Sequence, residues 1–347
     1  MSFQFGDGFD CYPNGAYADA ANGYWDATFA TWVPTNSTTR FGVGAALSSS
    51  STGVYLTKSS GQNDALHHLI VAYRQGQAIS GTSLGFYLQL LDGTTAQCSV
   101  VFRSDGAILL TAGAANGTVL ATYTGAFPVT TTWYAFEIEV FISNTAGYMN
   151  VRKNGNPVND FTSATNLDTQ ASANAYANKL TLGSQVSVSF VVDDLYWRSD
   201  ASSVPWAGDL RCYTRMPASD AAVQFSRSTG ASNFSCVDEP QQNAATDYVF
   251  SSTPGHADLY GIAPIASTPL TTYAVTTRAY AIKSDAGTRT MAVQLKSGAS
   301  TVASPTVVLT TSNWQWAWRH DTTDPATGAA WTAAAVNLVQ CGPLVVA

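Results

Sequence analysis

Charge is what this chain has least of. Asp, Glu, Lys and Arg make up 11% of its 347 residues, against roughly a quarter in an ordinary soluble protein. The net charge is −7, and no cluster of Lys or Arg interrupts it. Nucleic-acid binding needs a basic footprint, so that class is excluded. No apolar run is long enough for a transmembrane helix, so insertion of a helix into a membrane is not expected either. The opening residues, MSFQFGDGFDCYPNG, hold neither a basic stretch nor an apolar one, and a signal peptide is not expected. There is no CxxC pair among the five cysteines, Cys11, Cys98, Cys212, Cys236 and Cys341. An odd count without metal-ligand spacing reads as buried free thiols, with Cys212–Cys236 or Cys11–Cys98 bridges as the alternative. The GxSxG elbow of serine hydrolases is absent as well.

Apolar residues make up 46% of the chain, enough for substantial cores, and the length suits two domains. Ser, Thr, Ala, Gly and Asn take the surface role that charges usually fill. Such a surface suits a structural β-protein that works outside a cell. A particle assembled in the cytoplasm and released by lysis reconciles that surface with the missing signal. Residues 1–204 carry a net charge of −6 and residues 205–347 a net of −1, so a cation site is sought in the first part.

Strand signals dominate. VYLTK, LHHLIVAYR, LGFYLQLL, CSVVFR, WYAFEIEVFI and VSFVVDDLYW are short runs rich in Val, Ile, Tyr, Phe and Trp between Gly, Asn and Asp clusters. Asp105-Gly106 and Asn154-Gly155 sit between such runs and predict type I′ hairpin turns, which need positive φ. In TRTMAVQLKS, Met291, Val293 and Leu295 share one face and Ala292, Gln294 and Lys296 the other. No helix of ordinary length is expected; the best candidate, DTQASANAYANKL, residues 168–180, also reads as loop. Small polar residues and Pro205 mark a boundary near RSDASSVPWAGDLR. In SNWQWAWRH, Trp314, Trp316 and Trp318 alternate and so share one strand face. Gln315, Ala317 and Arg319 then form the opposite face, expected toward solvent, which assigns the tryptophans to a core or a subunit interface. A flat platform for glycans is the competing use of the same three rings.

Residues 5–200 resemble a concanavalin A-like, laminin-G-type jelly roll. The resemblance rests on FGDGFD, WYAFEIEVFI, GYMNVRKNGNPV, KLTLGS and VVDDLYW, in that order. The remainder, notably DLRCYTRMPASDAAVQF, DPATGAAWT and VNLVQCGPLVV, resembles the distal part of structural proteins of tailed bacteriophages. The fold class implied is all-β: a jelly-roll sandwich over 1–204 and a smaller C-terminal β-sandwich, an assembly or attachment domain, over 205–347. The function implied is that of a bacteriophage virion structural protein, a spike, fibre or neck-appendage subunit. Its partners would be copies of itself, in a homo-oligomer such as a trimer, other virion proteins, and host-surface polysaccharide. Its location would be the virion. The alternatives are a free lectin-like module and a polysaccharide depolymerase without recognisable motifs.

An enzyme is not expected. The glucanase pattern that WYAFEIEVFI resembles needs a further acid on the face of Glu137 and Glu139, and Phe141 stands there, so no acid–nucleophile pair forms. Glu137 and Glu139 are expected on a solvated face. His67 and His68 point to opposite faces, which argues against a shared metal; all four histidines are expected to be ordinary ones. Asp7, Asp10, Asp193 and Asp194 converge if the first and last strands pair, and oxygen-rich clusters suit Ca²⁺; laminin-G-like domains often carry one. Equally, DD ends a strand and DGFD makes a turn. No other cofactor is expected. For glycan stacking, the loop aromatics are Tyr24, Trp25, Trp32 and Trp206, with core packing as their competing role.

Overall fold

The computed structural model describes residues 3–12, 23–28, 33–41, 46–49, 52–77, 80–186, 188–201, 205–241, 246–265 and 271–347. The chain divides into two compact units. The first holds Met1–Phe9, Asn14–Ala18 and Trp25–Cys212; the second holds Asp10–Pro13, Asp19–Tyr24 and Tyr213–Ala347. The division therefore falls after Cys212 rather than at 204/205.

The first unit runs through β1 (Phe3–Asp7), β2 (Ala27–Thr28), β3 (Val33–Thr35), β4 (Ala46–Ser49), β5 (Gly53–Asp64), β6 (Leu66–Gln75), β7 (Leu84–Asp92) and β8 (Thr95–Arg103). It continues with β9 (Ile108–Ala112), β10 (Val119–Tyr123), β11 (Tyr134–Phe141), β12 (Tyr148–Lys153), β13 (Phe161–Thr162), β14 (Ala177–Ser184) and β15 (Phe190–Asp200). One sheet orders them β13-β12-β11-β6-β15-β4-β3, with β1 also on β15; the other is β10-β9-β8-β7-β14-β5-β2. First and last strands pair, Phe5 opposite Trp197. This is the antiparallel jelly-roll sandwich the sequence implied.

Register explains the core. Directly opposed residues point to the same face, so Phe5, Trp197, Leu69, Ile138 and Val151 form one inward row across the first sheet. Leu56, Leu182, Leu88, Val100 and Leu110 form its counterpart in the second. All ten are buried, each stabilising the fold by about 1.5–3 kcal/mol. Aromatic rings bridge the sheets: Tyr73 on β6 lies 4.4 Å from Phe102 on β8, and Phe190 on β15 lies 5.1 Å from Phe86 on β7. A bulge between Asp193 and Tyr196 breaks the alternation of β15. Asp194 occupies it with φ +49°.

Turns follow the sequence in one case and depart from it in the other. Asn154 and Gly155 both have positive φ, and Asn156 N–H donates to Lys153 O at 3.1 Å, as a type I′ turn requires. At Asp105-Gly106 only the glycine is positive, at +86°. There Gly106 N–H donates to Arg103 O, and Arg103 N–H to Ala107 O, a three-residue loop with its left-handed residue last. The helix candidate at 168–180 takes its alternative, a loop that leads into β14 at Ala177. Gln97, fully buried, accepts from the N–H groups of Ala171 and Ser172 and donates to the carbonyls of Asn174 and Tyr176. A side chain thus satisfies the backbone that a helix would have paired with itself.

The second unit comprises β16 (Pro217–Ala222), β17 (Ser226–Arg227), β18 (Val249–Phe250), β19 (Leu259–Ile262), β20 (Val275–Ala281) and β21 (Thr290–Ser297). After these come β22 (Ser300–Ala303), β23 (Val307–Val308), β24 (Gln315–Asp321), a short helix α1 (Ala333–Leu338) and β25 (Gln340–Val345). Its main sheet is β16-β19-β25-β21-β22, with β23 also on β21, and β20–β24 forms a separate pair. Met291 and Val293 pack against Ala317, Ala279 and Ala281 of that pair, giving the expected small sandwich. Thr332 caps α1, its Oγ1 accepting from Ala335 N–H at 3.1 Å.

This packing turns Ala317, expected toward solvent, inward, while Trp316 on the other face is buried too. Ala317, fully buried, looks into the sandwich. The indoles stand on the other face, because methyl groups let the layers approach where indoles would hold them apart. Trp314 stacks on Tyr280 at 5.2 Å, and Tyr280 meets Trp316 at 4.6 Å. The chain's own Gly23–Tyr24 stretch covers the far end: Trp318 Nε1 donates to Gly23 O at 2.8 Å, and Tyr24 meets Trp318 edge-on at 5.2 Å.

Gly183 tests the sandwich. A Cβ there would overlap the Tyr87 ring and hydroxyl and crowd Gly53 O. Gly183→Ala should lower the stability of the first unit by about 1–3 kcal/mol, read as a lower urea midpoint by tyrosine and tryptophan fluorescence.

Candidate functional site

The outer face of the first sheet holds the densest chemistry in the chain. Asn150, Glu139, His68 and Arg198 stand in one cross-strand row on β12, β11, β6 and β15. His68 bridges two carboxylates, with Nδ1 3.2 Å from Glu137 Oε1 and Nε2 2.9 Å from Glu139 Oε2. Asn150 Nδ2 donates to Glu139 Oε1 at 2.8 Å. Residues 205–212 run over this row as a strap. Ala207 and Gly208 N–H donate to the two oxygens of Glu137 at 2.7 and 2.8 Å, and Arg198 donates to Pro205 O at 2.6 Å. The Trp206 ring meets His68 edge-on at 4.8 Å, and the Arg152 guanidinium lies 4.1 Å from that ring. Further along, Arg40 reaches Asp194, Asp209 and Leu210 O, and Cys212 N–H donates to Asp194 at 2.7 Å.

The solvated face expected for Glu137 and Glu139 is instead covered; Glu137 and His68 are buried. Ionised carboxylates only accept hydrogen bonds, so the ring that fits between them is an imidazolium donating from both nitrogens. Burial alone pulls the His68 imidazole down, but the hydrogen bonds and charge of Glu137 and Glu139 raise it above its ordinary value. His67, on the inward face, differs. Burial pushes it down to about 4; its Nε2 donates to Asp64 O at 2.9 Å and its Nδ1 accepts from Trp197 Nε1 at 3.1 Å. Opposite faces of one strand thus hold a charged and a neutral histidine.

Three of the four aromatic residues expected to stack on glycans pack within the fold. Tyr24 is buried under the Arg278 guanidinium, 4.3 Å from its ring. Trp25 is buried, donating to Asp7 Oδ2 at 2.8 Å and packing edge-on to Phe5. Trp206, half-buried, anchors the strap. Trp32 lies outside the described residues.

The calcium expectation meets a similar end. Asp7 accepts from Trp25 Nε1 and from Phe9 N–H at 3.0 Å, while Asp193 accepts from Asp194 N–H at 2.8 Å and from Arg40 N–H. Asp194 binds Arg40 at 2.9 Å, and Asp10 is buried within the second compact unit. Donors, one of them a guanidinium, occupy the oxygens a cation would need, so the set does not fit Ca²⁺. Among the described residues no three His, Cys, Asp or Glu are grouped to hold a metal ion.

The second unit offers a surface that sequence reading missed. Tyr248 and Phe250 lie side by side, centroids 6.0 Å apart, and are 44% and 51% exposed. β18 holds them against β17, and Tyr248 N–H donates to Ser228 Oγ at 2.8 Å. Ser226, Arg227 and Ser228 beside them are exposed too. Two open rings with a hydroxyl rim can stack on apolar sugar faces while neighbouring groups take hydroxyls. The signal was the alternation in DYVF, but a two-residue strand carries too little periodicity to stand out.

No protein-family model and no curated protein matches this chain. Solved structures overlap it in part. The cellulose-induced protein Cip1 is 12% identical, with a TM-score of 0.37 over 59% of this chain and 100% of its own. The carbohydrate-binding module CBM66 from Bacillus subtilis is 11% identical, with a TM-score of 0.33 over 51% of this chain and 97% of its own. The CBM2 module of the evolved Dit of Lactobacillus casei BL23 phage J-1 is 13% identical, with a TM-score of 0.33 over 58% and 98%. Overlaps this partial transfer no role.

The His68 bridge makes stability depend on pH. Its folded pKa lies above the unfolded 6.5, so its contribution is complete below about pH 6.5 and is lost as pH rises through the folded value. The urea midpoint should fall as pH rises above about 6.5. His68→Gln should flatten that slope and cost about 3–5 kcal/mol at pH 6, since it leaves the buried Glu137 and the half-buried Glu139 without their cation.

Proposed function

We propose that this chain is a non-enzymatic structural protein of a bacteriophage-like particle that adheres to host-surface glycans through its second unit. The observation that carries the adhesive role is the exposed Tyr248–Phe250 pair. Exposed neighbouring aromatics are uncommon on a surface with no binding task, since they expose apolar area to water. The non-enzymatic part is supported by the carboxylates. Glu137 and Glu139 are closed over by His68 and the strap, and Asp193 and Asp194 are held by Arg40 and backbone N–H groups. Their oxygens are engaged by donors from the chain itself, unlike the free acid and nucleophile pair that glycoside hydrolysis uses.

The particle itself is supported by the bacteriophage-like character of DLRCYTRMPASDAAVQF and VNLVQCGPLVV and by the sparsely charged, hydroxyl-rich surface. A spike, fibre or neck-appendage subunit present as a homo-oligomer would multiply a weak aromatic contact into firm attachment.

Two measurements test this. The full chain should bind host cell-wall polysaccharide in a sedimentation assay. Tyr248→Ala/Phe250→Ala should weaken that binding about tenfold or more while leaving the thermal midpoint nearly unchanged, because both side chains are exposed. Undiminished binding by the double variant sinks the assigned surface. Immunogold labelling should place the protein at a fixed position on phage-like particles; antigen found only free in the medium would leave a secreted lectin-like module instead.

A further inference from the structure

The second unit holds another arrangement that uses none of these residues. The β21–β22 hairpin turns at Gly298, φ +55°, and the Asp324–Gly328 turn and the end of α1 lie beside it. Between them is a depression of about 310 Å³, lined among others by Lys296, Ser297, Asp324, Leu338 and Gln340. That volume is at the lower end of the range for small-molecule sites.

The polar groups around it are unspent. Asp324 is 5% exposed. Its Oδ1 accepts from Ala326 N–H at 2.9 Å, but its Oδ2 meets no donor among the described residues. That oxygen is not among the buried unsatisfied atoms and still reaches water, so it is open to a donor that a bound guest brings. Lys296 stands opposite Gln340 in the β21–β25 ladder, so both side chains rise from one face. Among the described residues neither the Lys296 ammonium nor the Gln340 amide has a side-chain partner. Leu338, 77% exposed, adds an apolar wall.

We propose that this depression is a subsite for a single pyranose or similar polyol. Vicinal hydroxyls both donate and accept. They can give to Asp324 Oδ2 and take from Lys296, with Ser297 and Gln340 serving further hydroxyls and Leu338 lying against a C–H face. The opposite charges cancel, which favours a neutral guest over an ion. A zwitterion would engage the two charges but leave Ser297 and Gln340 idle, and ion pairs open to water contribute little.

Saturation-transfer NMR on the full chain with a panel of methyl pyranosides, and with glycine as the zwitterion, tests this. At least one pyranoside should bind, and glycine should not displace it. Asp324→Asn should weaken binding about tenfold, the scale of one charge-assisted hydrogen bond, and Lys296→Gln should weaken it as well. Should Asp324→Asn unsettle its turn, Lys296→Gln and Gln340→Ala carry the test from partly exposed positions. Absence of pyranoside binding, displacement by glycine, or full binding in Lys296→Gln/Gln340→Ala overturns the subsite. Pyranoside binding lost in Tyr248→Ala/Phe250→Ala but kept in Asp324→Asn overturns it too, and moves the sugar to the aromatic pair. The subsite and the adhesive surface therefore fail separately.

Discussion

Every strand in a sandwich has two faces, and only one can look into the core between the sheets. The outer faces must be solvated or covered, and with 11% charged residues this chain has little with which to solvate them. Covering is what the structure does. Residues 205–212 roof the first sheet, and Gly23–Tyr24 lies over the tryptophans of β24. On the second sheet Tyr87, Val101 and Leu109 gather with Ala107 and Ala115 into a buried cluster outside the main core. The placement of most aromatic and charged side chains follows from how these covers were made.

The strap shows the cost of the solution. It brings a histidine and a carboxylate out of water, which is expensive unless geometry and hydrogen bonding compensate. Compensation is full at the centre, where His68 has both nitrogens matched and Glu137 accepts from two successive backbone N–H groups. Asn150 Oδ1, at the edge of the row, has no donor among the described residues. Groups held this way orient a segment firmly.

Against this background an uncovered feature carries information. Tyr248 and Phe250 are open where Tyr24 and Trp25 are buried, although all four sit near turns and short strands. The difference is whether another part of the chain returns to pack on them. Asp324 and Asp194 contrast in the same way: Arg40 meets the second across the fold, while nothing in the described chain meets Oδ2 of the first.

The all-β class, the Asn154-Gly155 turn and the inward side of β21 were legible in the sequence, because each depends on alternation or local turn chemistry, which are properties of neighbouring residues. The pairing of first and last strands joins residues far apart along the chain and was legible only through the jelly-roll resemblance. Local pattern also shows that Trp314, Trp316 and Trp318 share a face and that His67 and His68 do not. It does not show which face is inside. Ala317 took the core side because alanines of β20 and side chains of β21 met it there, and those lie more than twenty residues away along the chain. The strap over Glu137, the Gln97 clamp on the helix candidate and the guanidinium on Asp194 are likewise contacts between distant residues. Composition and periodicity determined what kind of layers this chain builds; only the tertiary structure decided which faces were covered, and so which residues remained to bind anything else.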